Sequence, residues 1–203
     1  MTTTVHLIRH GEVENPKGVI YGRLPGFNLS ERGRNQAAQA AERLKEADLA
    51  TVWASPLERA QETALVIAEP HGIEVMTDDR LLESETTLEG LGRDVLHFFR
   101  TPKQWWHFRN PLKPSWGESF ASIRARMLEA IRDAASAAEG REVAVVSHQT
   151  PVLVARLTMT RRRTPPWMGL TPCETGSITT LVLGDDEQVV STAYFSPSKR
   201  SDS

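Results

Sequence analysis

Apolar positions along the chain fall into short runs that alternate with longer stretches of helical periodicity. The run at residues 5–8, apolar apart from His6, is too short for a helix and predicts a buried strand. Similar runs predict strands at 51–54, 73–76 and 142–147, and a hairpin made of strands at 177–183 and 188–195. Helical spacing, together with start and stop signals, predicts helices at about 30–47, 56–69, 119–138 and 150–159.

The order of these elements indicates an α/β fold. Strands alternating with helices form a mostly parallel central sheet with helices on both faces, so we expect a three-layer sandwich with an antiparallel edge hairpin near the C-terminus. A single domain is expected over residues 1–195, followed by a disordered polar tail at 196–203. The segment at about 91–116 mixes aromatic residues, basic residues and prolines. It is expected either to be a lid or to complete the core as a helical pair.

Two serines mark predicted helix starts. Ser30 precedes the first helical stretch and is expected to cap it. The sequence Ser55-Pro56-Leu57-Glu58 has the form of a capping box with proline at the first helical position, so Ser55 is expected to cap the second helix. That helix then carries Arg59 in its first turns.

Composition and charge exclude several kinds of partner and site. The 203 residues carry a net charge of −2, so no global field attracts nucleic acid or an anionic membrane, and neither partner is expected. The single cysteine, Cys173, excludes internal disulfides and a cysteine-based zinc site, and is expected to be a small loop or core residue. Without a membrane-length apolar run or a signal peptide, the protein is expected to be cytoplasmic. A homodimer is compatible with the sequence, which does not determine the oligomeric state.

Three predicted strands are each followed directly by groups that suit an oxyanion. Arg9-His10-Gly11, the turn leading to Arg59, and His148 would meet at one edge of a parallel sheet. Arginine offers a planar fork of donors, histidine can be a base or a nucleophile, and glycine lets a ligand approach the backbone. Taken singly, each histidine could be a hydrogen-bonded structural residue and Arg59 a solvated one. Taken together, they would repel one another in an empty crevice, and a dianionic ligand would remove that cost.

Four segments then carry a specific resemblance. They are R-H-G-E at 9–12, L-S-E-R-G-R at 29–34, S-P-L-E-R-A-Q-E-T-A at 55–64 and V-S-H at 146–148. In this order, and over residues 5 to about 195, the chain resembles the histidine phosphatase superfamily, also called phosphoglycerate-mutase-like. The resemblance implies a metal-independent phosphomonoester hydrolase that needs no cofactor and acts on a small phosphorylated metabolite.

The resemblance also implies a role for each candidate residue. His10 would be the nucleophile that becomes phosphohistidine, and Glu83, in Arg80-Leu81-Leu82-Glu83, would be the proton donor, with Glu85 as a second candidate. The groups that would hold the phosphoryl oxygens are Arg9, Arg59 and His148. The candidates for substrate binding are Asn15, Arg23 and Gly11.

Departures from the family pattern keep other functions open. Gln149-Thr150 stands where the family often has glycines, and the run after Glu83 is shortened. The alternatives are a mutase acting on a phosphorylated sugar acid and a phosphate-binding module without catalysis. The remaining histidines, His6, His71 and His97, are expected to be structural, whereas His107 could line the mouth of the site.

Overall fold

The computed structural model describes residues 2–92, 117–161 and 171–197. Within these ranges the helices and strands lie close to their predicted positions. In chain order they are β1 (Thr3–Arg9), α1 (Glu31–Leu44), β2 (Leu49–Ala54), α2 (Glu58–Ala68), β3 (Val75–Thr77), α3 (Phe120–Ala137), β4 (Glu142–Ser147), α4 (Gln149–Met159), β5 (Ile178–Leu183) and β6 (Val189–Phe195). Short 3-10 helices occupy Glu69–His71 and Asp79–Leu81. Apart from residues 91 and 92, the predicted lid lies outside the described residues, as do His97, His107 and the tail beyond residue 197.

The described strands form one sheet in the order β3-β2-β4-β1-β5-β6. The first four are parallel to one another, whereas β5 is antiparallel to both β1 and β6. The predicted α/β class, with its antiparallel edge hairpin, is therefore confirmed. None of the helices in these ranges is both long and apolar enough to cross a membrane.

The alternation of side chains along each central strand divides the core into two layers. Val5 and Leu7 of β1 pack in one cluster with α3 and α4, whereas Ile8 packs in the other with α1 and α2. On β4 the residues of both clusters are fully or almost fully buried. This two-sided burial explains why the central strands read as apolar runs in the sequence.

The carboxyl ends of β1, β2 and β4 lie at the same edge of the sheet. The backbone of His10 donates to the carbonyl oxygen of Ser147 at 3.0 Å, which ties the end of β1 to the end of β4. On its other side, Gly176 N–H donates to the carbonyl oxygens of Arg9 at 3.0 Å and His10 at 3.1 Å. The residues that follow these strands are thereby held close together.

The structure confirms one predicted helix cap and corrects the other. Ser30 Oγ accepts a hydrogen bond from Gly33 N at 3.0 Å, as expected of the cap of α1. The prediction that Ser55 caps α2 in a capping box is wrong. Helix α2 begins at Glu58 with Leu57 as its N-cap, and no side chain caps it. Ser55 Oγ instead lies 2.8 Å from Nε2 of His148, so the hydroxyl serves a tertiary contact.

Candidate active site

Two histidines and one arginine meet in a buried cluster at the carboxyl edge of the sheet. The ring centroids of His10 and His148 are 5.0 Å apart, with the rings tilted by 60°. His10 is 2% exposed, and both His148 and Arg59 are fully buried. The strand ends thus bring together the residues that the sequence pattern placed there.

His10 is held in the form that a nucleophile needs. Its Nδ1 lies 2.7 Å from the carbonyl oxygen of Gly11, which can only accept, so Nδ1 carries the hydrogen and Nε2 keeps its lone pair. Burial, reinforced by the charges of Arg59 and Arg9, holds the pKa of His10 well below its ordinary value. The ring is therefore neutral at neutral pH. Burial lowers the pKa of His10 more than either arginine does.

His148 has one ring nitrogen engaged and one free for a ligand. Nε2 contacts Ser55 Oγ, while Nδ1 is buried and has no hydrogen-bond partner in the described parts of the chain. When the Ser55 hydroxyl donates to Nε2, the neutral ring carries its hydrogen on Nδ1 and can donate it to an anion. Burial is the main cause that holds the pKa of His148 well below its ordinary value, and repulsion by His10, when that ring is protonated, and by Arg59 adds to the effect.

Two arginines next to these rings keep unused N–H groups. Arg59 donates from Nη2 to the carbonyl oxygen of Gly22 at 2.6 Å and lies 4.8 Å from the centroid of the Tyr21 ring. Arg9 donates from Nη1 to the carbonyl oxygen of Cys173 at 2.6 Å. Buried Nε of Arg9 and buried Nε and Nη1 of Arg59 have no partner within residues 2–92, 117–161 and 171–197. Buried donors without acceptors are costly, so this arrangement favours a bound oxyanion.

Gly11 is required by packing against helix α1. A Cβ on Gly11 would overlap the carbonyl group of Gly33, so a side chain at this position would push α1 away from the end of β1. The backbone N–H of Gly11 donates to Thr63 Oγ1 at 3.1 Å, and that hydroxyl donates to the carbonyl oxygen of Arg59 at 2.7 Å. Sequence reasoning missed Thr63, although it lies one helical turn after Arg59 and so faces the same side of α2.

The other predicted binding residues have their polar groups largely engaged by the protein. The side-chain amide of Asn15 bonds both the N–H and the carbonyl oxygen of Val19, which shapes its own loop, and it borders a cavity of about 440 Å³ next to Arg9. Arg23 forms ion pairs with Glu85 at 2.8 Å and Glu118 at 3.4 Å. The structure therefore places Asn15 beside the site, whereas the guanidinium of Arg23 contacts protein carboxylates.

The two candidate proton donors differ in their surroundings. The charge of Glu83 opposes the lowering of the Arg59 pKa that burial causes, as do the charges of Glu58 and Glu89. One of its oxygens accepts from Ser84 N at 2.8 Å and Ser84 Oγ at 3.2 Å. The side chain of Glu85 is 67% exposed and paired with Arg23. The exposure of Glu85 and its ion pair with Arg23 therefore favour Glu83 as the candidate acid.

The buried histidines predict that stability falls in mild acid. Burial lowers the pKa of His6, His10 and His148 in the folded protein, whereas unfolded histidine titrates near 6.5. Below about pH 6.5 the unfolded chain binds more protons, so each such histidine lowers the unfolding free energy by up to about 1.4 kcal/mol per pH unit. Urea unfolding at pH 7.5 and pH 5.5 checks this result. His148→Gln should flatten the pH dependence, whereas equal stability at both pH values would contradict the prediction.

The described residues offer no evident metal centre. Among them, no group of three or more histidine, cysteine, aspartate or glutamate side chains could hold a metal ion. The groups near the strand ends that can donate to an anion are the guanidinium groups of Arg9 and Arg59 and the Nδ1–H of His148.

Comparison with known proteins gives a consistent assignment. The family model of the histidine phosphatase superfamily (branch 1) matches residues 5–195. An uncharacterized protein of Mycobacterium tuberculosis is 45% identical over 199 residues, which is 96% of each chain. Phosphoserine phosphatase 1 of Hydrogenobacter thermophilus is 33% identical and matches 72% of this chain and 71% of its own. The 2,3-bisphosphoglycerate-dependent phosphoglycerate mutase of Thermoplasma acidophilum is also 33% identical, over 73% of this chain and 72% of its own.

A solved structure extends this similarity to the fold. The phosphoserine phosphatase of Entamoeba histolytica, determined in complex with 3-phosphoglyceric acid, superposes with a TM-score of 0.76 at 26% identity. The alignment covers 97% of this chain and 98% of that one.

Proposed function

Because the chain belongs to branch 1 of the histidine phosphatase superfamily, we propose that it hydrolyses small phosphomonoesters through a phosphohistidine at His10. Relatives of this chain include a phosphatase and a mutase, so its chemistry is that of a phosphatase or a mutase. One observation carries the more specific proposal. A neutral histidine with a free Nε2 lies beside a second neutral histidine and two arginines with unused N–H groups.

In the first step, Nε2 of His10 attacks phosphorus in line with the leaving oxygen. The new N–P bond forms as the P–O bond to the substrate breaks, and the departing oxygen takes a proton from Glu83. Arg9, Arg59 and His148 donate to the three equatorial oxygens, over which the charge is spread. The products of this step are the free alcohol, phosphohistidine and the carboxylate of Glu83.

In the second step, water attacks the phosphohistidine from the side that the alcohol has left. Glu83 takes a proton from that water, the N–P bond breaks, and its electron pair returns to Nε2 of His10. Orthophosphate leaves and the enzyme regains its starting protonation state. No metal is needed, because the arginines neutralise the negative charge of the phosphoryl oxygens, as a metal ion would do in other phosphatases.

A mutase is the second candidate function, favoured by the similarity to the Thermoplasma enzyme. A mutase uses the same first step but returns the phosphoryl group to a sugar acid, so it must keep water away from phosphohistidine. Supplying 3-phosphoglycerate and 2-phosphoglycerate separately distinguishes the two functions. Interconversion of the two would favour the mutase, and release of orthophosphate would favour the phosphatase.

The proposal is tested by trapping the intermediate. The enzyme is mixed with a ³²P-labelled substrate in an excess of chelator, and the reaction is quenched within milliseconds. Phosphoserine is the first substrate to use, because a relative of this chain is a phosphoserine phosphatase. We expect label on His10 in a bond that is labile to acid and stable to base, at the same level with and without the chelator. Label on serine or aspartate would contradict the mechanism. Loss of labelling in chelator, restored by magnesium or zinc, would contradict metal independence, and no labelling or turnover with any phosphomonoester would favour a binding module.

A further inference from the structure

The segment that carries Glu83 is held by an unusual set of hydrogen bonds. Four consecutive backbone carbonyl oxygens, from Arg80 to Glu83, each accept from a side chain of another part of the chain. The carbonyl of Leu81 accepts from the buried hydroxyl of Ser147, at 2.7 Å. Since Ser147 directly precedes His148, this bond ties the acid segment to the strand end that carries the second histidine.

Arg126, on helix α3, holds the two carbonyls on either side of Leu81. Its Nη1 donates to the carbonyl oxygen of Arg80 at 2.6 Å and to that of Leu82 at 2.7 Å. Its Nε and Nη2 donate to the two carboxylate oxygens of Glu118, at 2.9 and 2.8 Å respectively. Only a planar guanidinium can serve two carbonyls on one edge and a carboxylate on the other.

Arg23 holds the last of the four carbonyls from the opposite side. Its Nε donates to the carbonyl oxygen of Glu83 at 2.7 Å, and its Nη2 pairs with the same Glu118 at 3.4 Å. The side chains of Glu118 and Arg126 are only 11% and 15% exposed, so little water competes with their ion pair. Glu118 therefore joins the two arginines into one network around the acid segment.

We infer that Arg23, Glu118 and Arg126 are positioning residues for the proton donor Glu83. This inference rests on the proposed function, and it reassigns Arg23 from the substrate-binding role that the sequence suggested. A proton can reach a departing oxygen only across a hydrogen-bond distance, so the carboxyl group must stay in place during the reaction. After the 3-10 helix ends at Leu81, the backbone that carries Glu83 belongs to no helix or strand that would fix that distance. The two guanidinium groups supply the missing restraints.

The test replaces each arginine by lysine, which keeps the charge but offers one compact donor in place of the fork. Arg126→Lys and Arg23→Lys should each slow pre-steady-state phosphoenzyme formation from an alkyl phosphate by about tenfold to a hundredfold, the usual effect of misplacing a reacting group by about 1 Å. The same step with p-nitrophenyl phosphate, whose leaving group hardly needs a proton, should change less than about threefold. Arg132→Lys is the matched control, since Arg132 lies on the same helix and, within the part of the chain that the structure describes, forms its ion pair with the exposed Glu187.

A double-mutant cycle with Glu83→Gln then separates positioning from a general structural role. If Arg126 acts through Glu83, Arg126→Lys should have almost no further effect in the Glu83→Gln background. Equal losses on both substrates, or additive losses in the double variant, would overturn the inference. Melting temperatures show whether each variant is folded, and the Arg23→Lys cycle decides the matter if Arg126→Lys does not fold.

The cycle also distinguishes failure of this inference from failure of the proposed function. If Glu83→Gln shows the leaving-group dependence and neither lysine variant does, the positioning role is wrong and the proposed mechanism stands. If Glu83→Gln shows no such dependence, Glu83 is not the proton donor. The assignment of the acid and the positioning role of the network are then both wrong.

Discussion

Replacing His10 by asparagine is expected to abolish turnover, lowering kcat/KM by on the order of 10⁴- to 10⁶-fold, as removal of a nucleophile does elsewhere. The asparagine amide can still donate to the Gly11 carbonyl in place of Nδ1, so the loop at the end of β1 should keep its shape. It offers no nucleophilic lone pair, so no phosphoenzyme can form. Steady-state rates on several phosphomonoesters, with quench labelling, measure the loss.

The control for His10→Asn is His71→Gln, which removes a histidine outside the cluster and should leave the rate unchanged. Binding of orthophosphate should survive in the asparagine variant, because Arg9, Arg59 and His148 remain. Retention of more than about one-hundredth of wild-type kcat/KM by the His10 variant would mean that the nucleophile lies elsewhere.

Glu83→Gln is expected to have the second largest effect, and one that depends on the leaving group. General acid catalysis is worth about a hundredfold to ten-thousandfold, so phosphoenzyme formation from alkyl phosphates should fall by that factor. p-Nitrophenolate is stable as an anion, so the same step with p-nitrophenyl phosphate should fall far less. The comparison belongs in the first turnover, because the same residue also activates water in the second step.

Glu85→Gln is the control for the position of the acid. Its exposed carboxylate pairs with Arg23, so its loss should change either rate only slightly. If Glu85→Gln showed the leaving-group dependence and Glu83→Gln did not, the acid would lie two residues further along the chain. If neither showed it, the proton would come from another group.

The fold was predictable where burial alone determines the pattern. Strand β4 has the predicted bounds because the uninterrupted apolar run at 143–146 can be buried on both faces of a sheet. The predicted positions of helix and strand ends were less accurate where they depended on weak local signals. Helix α1 ends at Leu44 instead of Ala47, and β3 starts at Val75 instead of Ile73.

The site could be predicted only as far as its residues follow strand ends. His10, Arg59 and His148 were found because each comes shortly after an apolar run, but Ser55 was misassigned from its local pattern. Ser55 Oγ bonds Nε2 of His148, which lies 93 residues away in the sequence, and a local pattern does not report such a contact. The side-chain and carbonyl partners of Arg23 lie 60 to 95 residues away in the sequence, and no local pattern reports contacts at that distance.

The backbone hydrogen bonds that hold the end of β1 also determine when activity can appear during folding. His10 is fixed by the backbones of Ser147 and Gly176, so the site requires contacts between regions more than 130 residues apart. Closing such long loops is slow compared with helix formation. Recovery of catalysis after dilution from denaturant should therefore lag behind the circular dichroism signal of the helices. A chain fragment that carries the Arg-His-Gly segment without β4 has no means of assembling the site, so activity reports completion of the sheet.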